Sequence, residues 1–304
     1  MRINIVMGFF LPVPPAAGGA TEKSWHRLAQ EFTSRGHDVT IVSRRWEKWP
    51  DEEKRHGVRF LRFKGHNHTS SLFFNLCLDA LWSLKVWRRL PGADVTVVNA
   101  ISLPIFLGWN RRNTGKLVVM VGRMPKGQFR IYRNIDRVLA VSTPVLDAVR
   151  RENPAAAGRA LVTGYPIDCS LLAAGIRETP AVLTIGFIGR IHREKGLDLL
   201  ANAAEVLAGR TGIPPWRLLL CGPTDTARGG SGPRYAVELR GRLNRVSVPA
   251  GFEMLPAVFD SSRLSAVHRG IDIFCYPSLA TRGETFGVSV AEAMAAGAVP
   301  VVSK

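Results

Sequence analysis

The sequence predicts an α/β fold built as two doubly wound parallel-sheet domains. Three observations carry that expectation. The chain has 304 residues, about twice the ~150 of a common domain. Short apolar strand-like runs alternate with amphipathic helical stretches along its length, the pattern of β-α-β units. That series also starts afresh at Val182, after an exit segment Gly164-Tyr165-Pro166-Ile167-Asp168. The expected division is therefore one domain over 1–167 and a second over 178–304.

Taken in order, residues 3–7 read as a buried strand and 11–19 as a Pro/Gly loop. From 21 to 35, Trp25, Leu28, Ala29 and Phe32 recur at i, i+3, i+4 and i+7, which marks a helix; Gly36-His37 ends it. Residues 39–42, 58–63, 94–99, 117–121, 137–141 and 160–163 read as further strands, with helices over 71–90 and 145–152. The second series places strands at 183–188, 217–221, 272–276 and 299–303. Helices are expected over 197–208, 235–244 and 288–296. Ligands in such folds sit at the carboxyl ends of the strands, here facing a cleft between the domains.

Residues 72–87 are almost wholly apolar, interrupted by Asn75, Asp79, Ser83 and Lys85. The run falls short of the ~20 residues that span a bilayer. Positions 75, 79 and 83 recur at i+4, which predicts a buried sheet-covering helix with a narrow wet edge.

Hydrophobic residues make up 46% of the chain, which suits packed cores rather than disorder. Cys77, Cys169, Cys221 and Cys275 are far apart and show no metal-ligand spacing. Neither a disulfide framework nor structural zinc is expected, and a reduced cytoplasmic compartment fits. The apolar N-terminal run is broken by Gly8, Pro12, Pro14 and Pro15, which argues against a secretory leader. Charge is uneven. Residues 1–165 hold 26 Lys and Arg against 12 Asp and Glu, a net +14 of the chain's +17. Such asymmetry points to a polyanionic neighbour (membrane, nucleic acid or acidic substrate) or to a merely solvated basic surface. No helix-turn-helix or aromatic-basic stacking pattern is present, so nucleic acid is not an expected partner.

Three places could hold a departing diphosphate, which needs cations or oriented backbone amides. Arg190 lies just past a predicted strand and Lys195 just before a predicted helix. Gly18-Gly19 precede the first helix, where bare backbone can approach phosphate at a positive helix end. Thr285-Phe286-Gly287 precede the helix bearing Glu292.

The order of these motifs resembles that of the family 4 glycosyltransferases, retaining enzymes with the GT-B fold. The resemblance is carried by Gly18-Gly19-Ala20-Thr21-Glu22, Arg35 to Val39, Gly189-Arg190 to Lys195-Gly196, and Pro277-Ser278. It is carried further by Gly283-Glu284-Thr285-Phe286-Gly287 with Glu292 to Gly297. The Glu284/Glu292 pair is the most specific of them. The resemblance implies a UDP- or GDP-sugar donor and a glycan or lipid-linked acceptor. It gives Glu292 the ribose hydroxyls and Glu284 the donor sugar. Arg190 and Lys195 take the phosphates, with Gly18 and Gly19 approaching from the other domain. The amides of Thr285, Phe286, Gly287 and Val288 hold sugar and diphosphate. Glu284, Arg190 and Lys195 are the implied catalytic residues.

The sequence has no Asp-x-Asp pair, the signature of metal-assisted donor binding, so no metal or other cofactor is expected. His66-Asn67-His68 reads as turn chemistry. Two departures stand out. Many relatives place a histidine after a strand of the first domain, whereas here 117–121 runs into Gly122-Arg123-Met124-Pro125-Lys126. Arg123 or Lys126 could instead meet an anionic acceptor or donor group. The chain also stops at Lys304, where relatives continue with a glycine loop, a strand and helices. The second domain thus reads as incomplete, with poor stability and weak activity expected if the polypeptide ends there. An inactive nucleotide-sugar binder and a sugar-nucleotide epimerase stand as alternatives. The basic first domain favours a location on the inner face of the cell membrane.

Overall fold

The computed structural model describes residues 1–16, 18–67, 69, 71–111, 114–173, 180–280 and 284–303. Gly283, His68 and Lys304 lie outside the described residues. The chain divides into two compact units, Met1–Pro166 and Ile167–Lys304.

The first unit runs β1 (Arg2–Val6), α1 (Ala20–Ser34), β2 (Asp38–Arg44), β3 (Glu52–Arg55), β4 (Val58–Phe63), α2 (Leu72–Arg89), β5 (Val95–Val98) and α3 (Leu103–Trp109). It continues with β6 (Lys116–Val121), β7 (Arg137–Ala140), α4 (Thr143–Glu152), α5 (Pro154–Ala157) and β8 (Ala160–Val162). Its eight strands are ordered β3-β4-β2-β1-β5-β6-β7-β8. All neighbours are parallel except the β3–β4 pair. Strands covered on both faces read as continuous apolar runs, and β1 and β2 are buried almost throughout. Ile5, Ile41, Phe60 and Val98 are among the unit's fully buried residues.

The second unit runs α6 (Cys169–Leu172), β9 (Leu183–Ile188), a 3₁₀ turn (Arg193–Lys195), α7 (Leu197–Ala208), β10 (Trp216–Cys221) and α8 (Pro233–Arg245). Then follow β11 (Phe252–Leu255), α9 (Ser261–Arg269), β12 (Ile273–Tyr276), α10 (Val288–Ala295) and β13 (Val299–Val302). The sheet is fully parallel in the order β11-β10-β9-β12-β13. Phe187, Trp216, Leu220, Leu239 and Phe274 anchor its core. The strand order reverses at β9. The chain runs from β9 through β10 to β11 on one side, and β12 and β13 lie on the other, which creates the crevice where doubly wound sheets bind ligands. β9 and β12 pair over just two residues, Ile273 with Ile185 and Phe274 with Gly186.

Six elements were not expected, among them the four-residue helices α5 and α6. β3 is a charged Glu-Glu-Lys-Arg run, an antiparallel edge whose side chains face solvent; such charge is typical of edges and hides the strand pattern. α3 and β11 are short, and α3 contains Pro104 and Gly108. α9 begins at Asp260, whose side chain accepts from Arg263 N, the ordinary N-cap signal.

The helix over 72–87 corrects the sequence reading. Asn75, Asp79 and Ser83 do not form a wet edge; they are the buried face, alongside Trp82 and Val86. Asn75 bonds the Thr69 backbone and hydroxyl, and Asp79 Oδ2 accepts from Ser102 N at 2.6 Å. Burial pushes the Asp79 carboxyl up from its ordinary value, against the bonds from Ser102. The apolar side faces out instead, with Phe73 78% and Leu81 59% exposed. No helix among the described residues is long and apolar enough to cross a membrane.

Candidate functional site

The site of the second unit is assembled at the strand-order reversal, from the segments that follow β9 and β12. After β9, the chain turns through Gly189 and Arg190 into the 3₁₀ turn ending at Lys195 and Gly196. Gly196 takes φ +66°, and a Cβ there would lie 1.8 Å from the carbonyl oxygen of Pro277. The two segments are therefore in backbone contact, and Leu279 N donates to Glu194 O across the same junction at 2.7 Å.

That junction brings Lys195 to Glu284. Lys195 is buried, and its Nζ donates to Glu284 Oε2 at 2.5 Å. The same oxygen accepts from the Tyr276 hydroxyl at 3.0 Å and the Ser278 hydroxyl at 3.3 Å. Nζ also lies 5.1 Å from the centre of the Tyr276 ring, a cation–π contact. Burial by itself pulls the Lys195 pKa down. The bonds to Glu284 and Tyr276 outweigh it, so the net shift is upward and the ammonium stays charged. Burial also raises the Tyr276 hydroxyl, which stays protonated and donates.

Arg190 lies on the same loop but does not reach Glu284. Its guanidinium donates to Gly229 O at 2.9 Å and to Glu194 Oε1 at 2.5 Å. These partners hold a cation at the carboxyl end of β9, half exposed. Phe286, Gly287 and Glu284 line a pocket of about 400 Å³ with Tyr276, Ser278 and Val290. Gly287 is the N-cap of α10, and Val288 is its first residue; Thr285, Phe286, Gly287 and Val288 are all half-buried. Glu292 lies one turn further along, buried, with Oε2 3.4 Å from His268 Nε2.

Gly18 and Gly19 belong to the first unit. Both have positive φ, +80° and +101°. Gly19 caps α1 without a side-chain bond, and a Cβ on it would lie 2.1 Å from Glu22 Oε2. Burial raises the Glu22 carboxyl, opposed by its own backbone amide and by the charge of Arg123. Thr21 and Tyr165 share a hydroxyl bond of 2.8 Å close to Gly122. Arg123 and Lys126 are exposed on the following loop.

The structure brings together Lys195, Glu284 and the Pro277-Ser278 segment, which the sequence singled out, with Tyr276 and Glu194, which it did not. Tyr276 had a signal: it is the last residue of a strand predicted to end at the crevice. Glu194 had none, because its contact with Leu279 crosses between segments.

Comparisons with known proteins bear on the family of the chain. The model described as Glycosyltransferase Family 4 matches residues 17–171, and that described as Glycosyl transferases group 1 matches 182–304. The chain is similar to a phosphatidyl-myo-inositol mannosyltransferase of Mycobacterium tuberculosis, 29% identical over 100% of this chain and 78% of that protein. A D-inositol 3-phosphate glycosyltransferase of Rhodococcus erythropolis is 30% identical over 58% of this chain and 40% of its own length. Among solved structures, a sucrose-phosphate synthase from Thermosynechococcus elongatus matches with TM-score 0.73 at 17% identity, covering 99% of this chain and 81% of that one. An α,α-trehalose-phosphate synthase from Burkholderia xenovorans matches with TM-score 0.73 at 15% identity, covering 100% and 85%. At those identities the likeness shows the fold, which is GT-B. By motif order, fold and family match together, the chain belongs to glycosyltransferase family 4.

Proposed function

We propose that this glycosyltransferase moves a hexosyl group from a nucleotide-sugar to a glycan or lipid-linked acceptor, with retention of configuration and without a metal. The observation that carries this proposal is the Lys195–Glu284 pair, locked by Tyr276 and Ser278 at the strand-order reversal. In this mechanism Glu284 accepts from hydroxyls of the donor sugar. Lys195 and Arg190 meet the negative charge that grows on the departing diphosphate, the interaction with the greatest leverage on the barrier. The amides around Thr285, Phe286, Gly287 and Val288 add dipoles aimed at the same charge. Glu292 accepts from the ribose hydroxyls, and Gly18-Gly19 offer bare backbone before α1. Arg123 and Lys126 suit an anionic acceptor group. UDP and GDP are both compatible with these contacts. A thermal-shift screen against UDP- and GDP-sugars tests the proposal, since a ligand at about 100 times its Kd adds ~2.7 kcal/mol. Absence of any shift across the panel would defeat it.

With two fixed cations near the leaving group, the chemistry has its charge stabilisation without a divalent ion. Turnover is expected to survive saturating EDTA within about twofold, because removing a true Lewis acid would forfeit several kcal/mol. A strict magnesium requirement in the same assay would overturn the metal-free mechanism.

A lipid-linked acceptor places the enzyme at a membrane surface, and α2 supports that location. Phe73, Phe74, Leu76 and Leu81 face outward. Lys85, Arg88 and Arg89 are exposed at the C-terminal end of the same helix. Apolar insertion flanked by basic residues is how interfacial helices hold anionic bilayers. The mycobacterial relative is named for a phosphatidyl-inositol acceptor, which agrees with this placement. Exchanging Phe73 and Phe74 for aspartate is expected to weaken sedimentation with phosphatidylglycerol vesicles by about tenfold or more, given ~1.5–3 kcal/mol per buried Phe. The melting temperature should stay the same, since both rings already face solvent. Undiminished sedimentation of the double variant would remove α2 from the interface.

A further inference from the structure

His268 has no hydrogen-bond partner at either ring nitrogen among the described residues, yet it is fully buried. Buried polar groups are normally bonded, so its placement needs a reason. The imidazole sits on α9 with its ring 6.1 Å from that of Phe274. Nε2 stands 3.4 Å from Oε2 of Glu292 on α10. That distance is beyond a well-formed hydrogen bond, and catalytic-site bonds that are long in the free protein commonly tighten once a ligand is held.

We propose that His268 is a positioning residue for Glu292. With a proton on Nε2 the imidazole donates to Oε2 and fixes the rotation of the carboxylate. The ribose hydroxyls then meet an oriented acceptor rather than a rotating one. His268 touches no substrate; it acts through Glu292, and the inference rests on the proposed ribose role of that residue. A histidine that merely filled the core would be replaceable by a side chain of similar volume without any change in ligand preference.

Nucleotide recognition provides the readout. The probes are UDP and GDP, each beside its 2′-deoxy and 3′-deoxy form, titrated against the full chain by calorimetry. The preferred ribonucleotide is expected to bind wild type about tenfold or more tightly than its deoxy forms, the worth of a charge-assisted hydrogen bond. In His268→Phe that preference should fall to near unity. The donor KM should rise by about the same factor, with kcat within about twofold, since uniform binding is lost rather than transition-state contact. His268→Gln, whose amide reaches the place of Nε2, should keep the preference, and His268→Asn, which reaches only the place of Nδ1, should lose it. Equal behaviour of the glutamine and asparagine variants would overturn the proposal, and their comparison decides the matter if His268→Phe does not melt cooperatively. Glu292→Ala separates the two levels of inference. If it abolishes the ribose preference while His268→Phe keeps it, His268 has no positioning role and the Glu292 assignment survives. If Glu292→Ala keeps the preference, the ribose assignment itself is wrong and the His268 inference fails with it.

Discussion

Replacement of Lys195 by methionine is expected to lower kcat by about 10²–10³-fold, the usual loss when one preorganised donor to a developing anion is removed. Methionine keeps the buried aliphatic stem, so the cavity term is small and the charge is the main thing deleted. Glu284 would retain the Tyr276 and Ser278 hydroxyls, so its carboxylate would not be stranded. Glu284 is part exposed, with its side chain at 30%. Solvent therefore takes up some of the lost pairing, and the stability loss should be about 1–2 kcal/mol rather than the ~3–5 of a fully buried broken pair. Single-turnover rates at saturating donor, read beside a melting curve, check both parts. A variant that turns over near the wild-type rate would exclude Lys195 from leaving-group stabilisation.

Gly196→Ala should be more damaging than its size implies. The left-handed φ of +66° is unfavourable for alanine, and the new methyl would collide with the carbonyl oxygen of Pro277 at 1.8 Å. That neighbour is backbone and cannot rotate away. Relief requires separating the segment after β9 from the segment after β12, which pulls Lys195 from Glu284. A stability loss of about 3 kcal/mol is expected from strain of this kind, with activity falling at least as far as in the Lys195 variant. Calorimetry and steady-state kinetics on the same preparation test this; an unchanged melting temperature would mean that the two segments are not locked.

The fold was legible because parallel strands covered on both faces spell themselves out as apolar runs, as in 183–188 and 117–121. The candidate-site residues on the chain's own motifs, Lys195, Glu284 and Gly287, were legible for a related reason: each stands where a strand gives way to a helix. What could not be read was orientation. In α2 the i+4 spacing of Asn75, Asp79 and Ser83 correctly marked one face of a helix. Periodicity does not say which face the sheet will cover. Asp79 faces inward, where its carboxylate accepts from Ser102 N, and Phe73 and Phe74 lie outside. Short elements were missed where a local penalty masked the pattern. Gly108 in α3 is one such case, since a Cβ there would strike Arg133 O at 2.6 Å. His268 was invisible because its meaning depends on Glu292, 24 positions away in a different helix.

The two-residue ladder between β9 and β12 has a consequence for how the second unit coheres. β10 is zipped to β9 over six residue pairs, whereas the β12–β13 half is joined to β9 over two. Much of the remaining join is not sheet at all: it is Lys195 on Glu284, the Gly196–Pro277 backbone contact and the Leu279 amide on Glu194. The candidate site thus doubles as the clasp between two halves of one domain. A donor that bridges the same two segments would close that clasp further, so occupancy and the integrity of the domain are thermodynamically one property here.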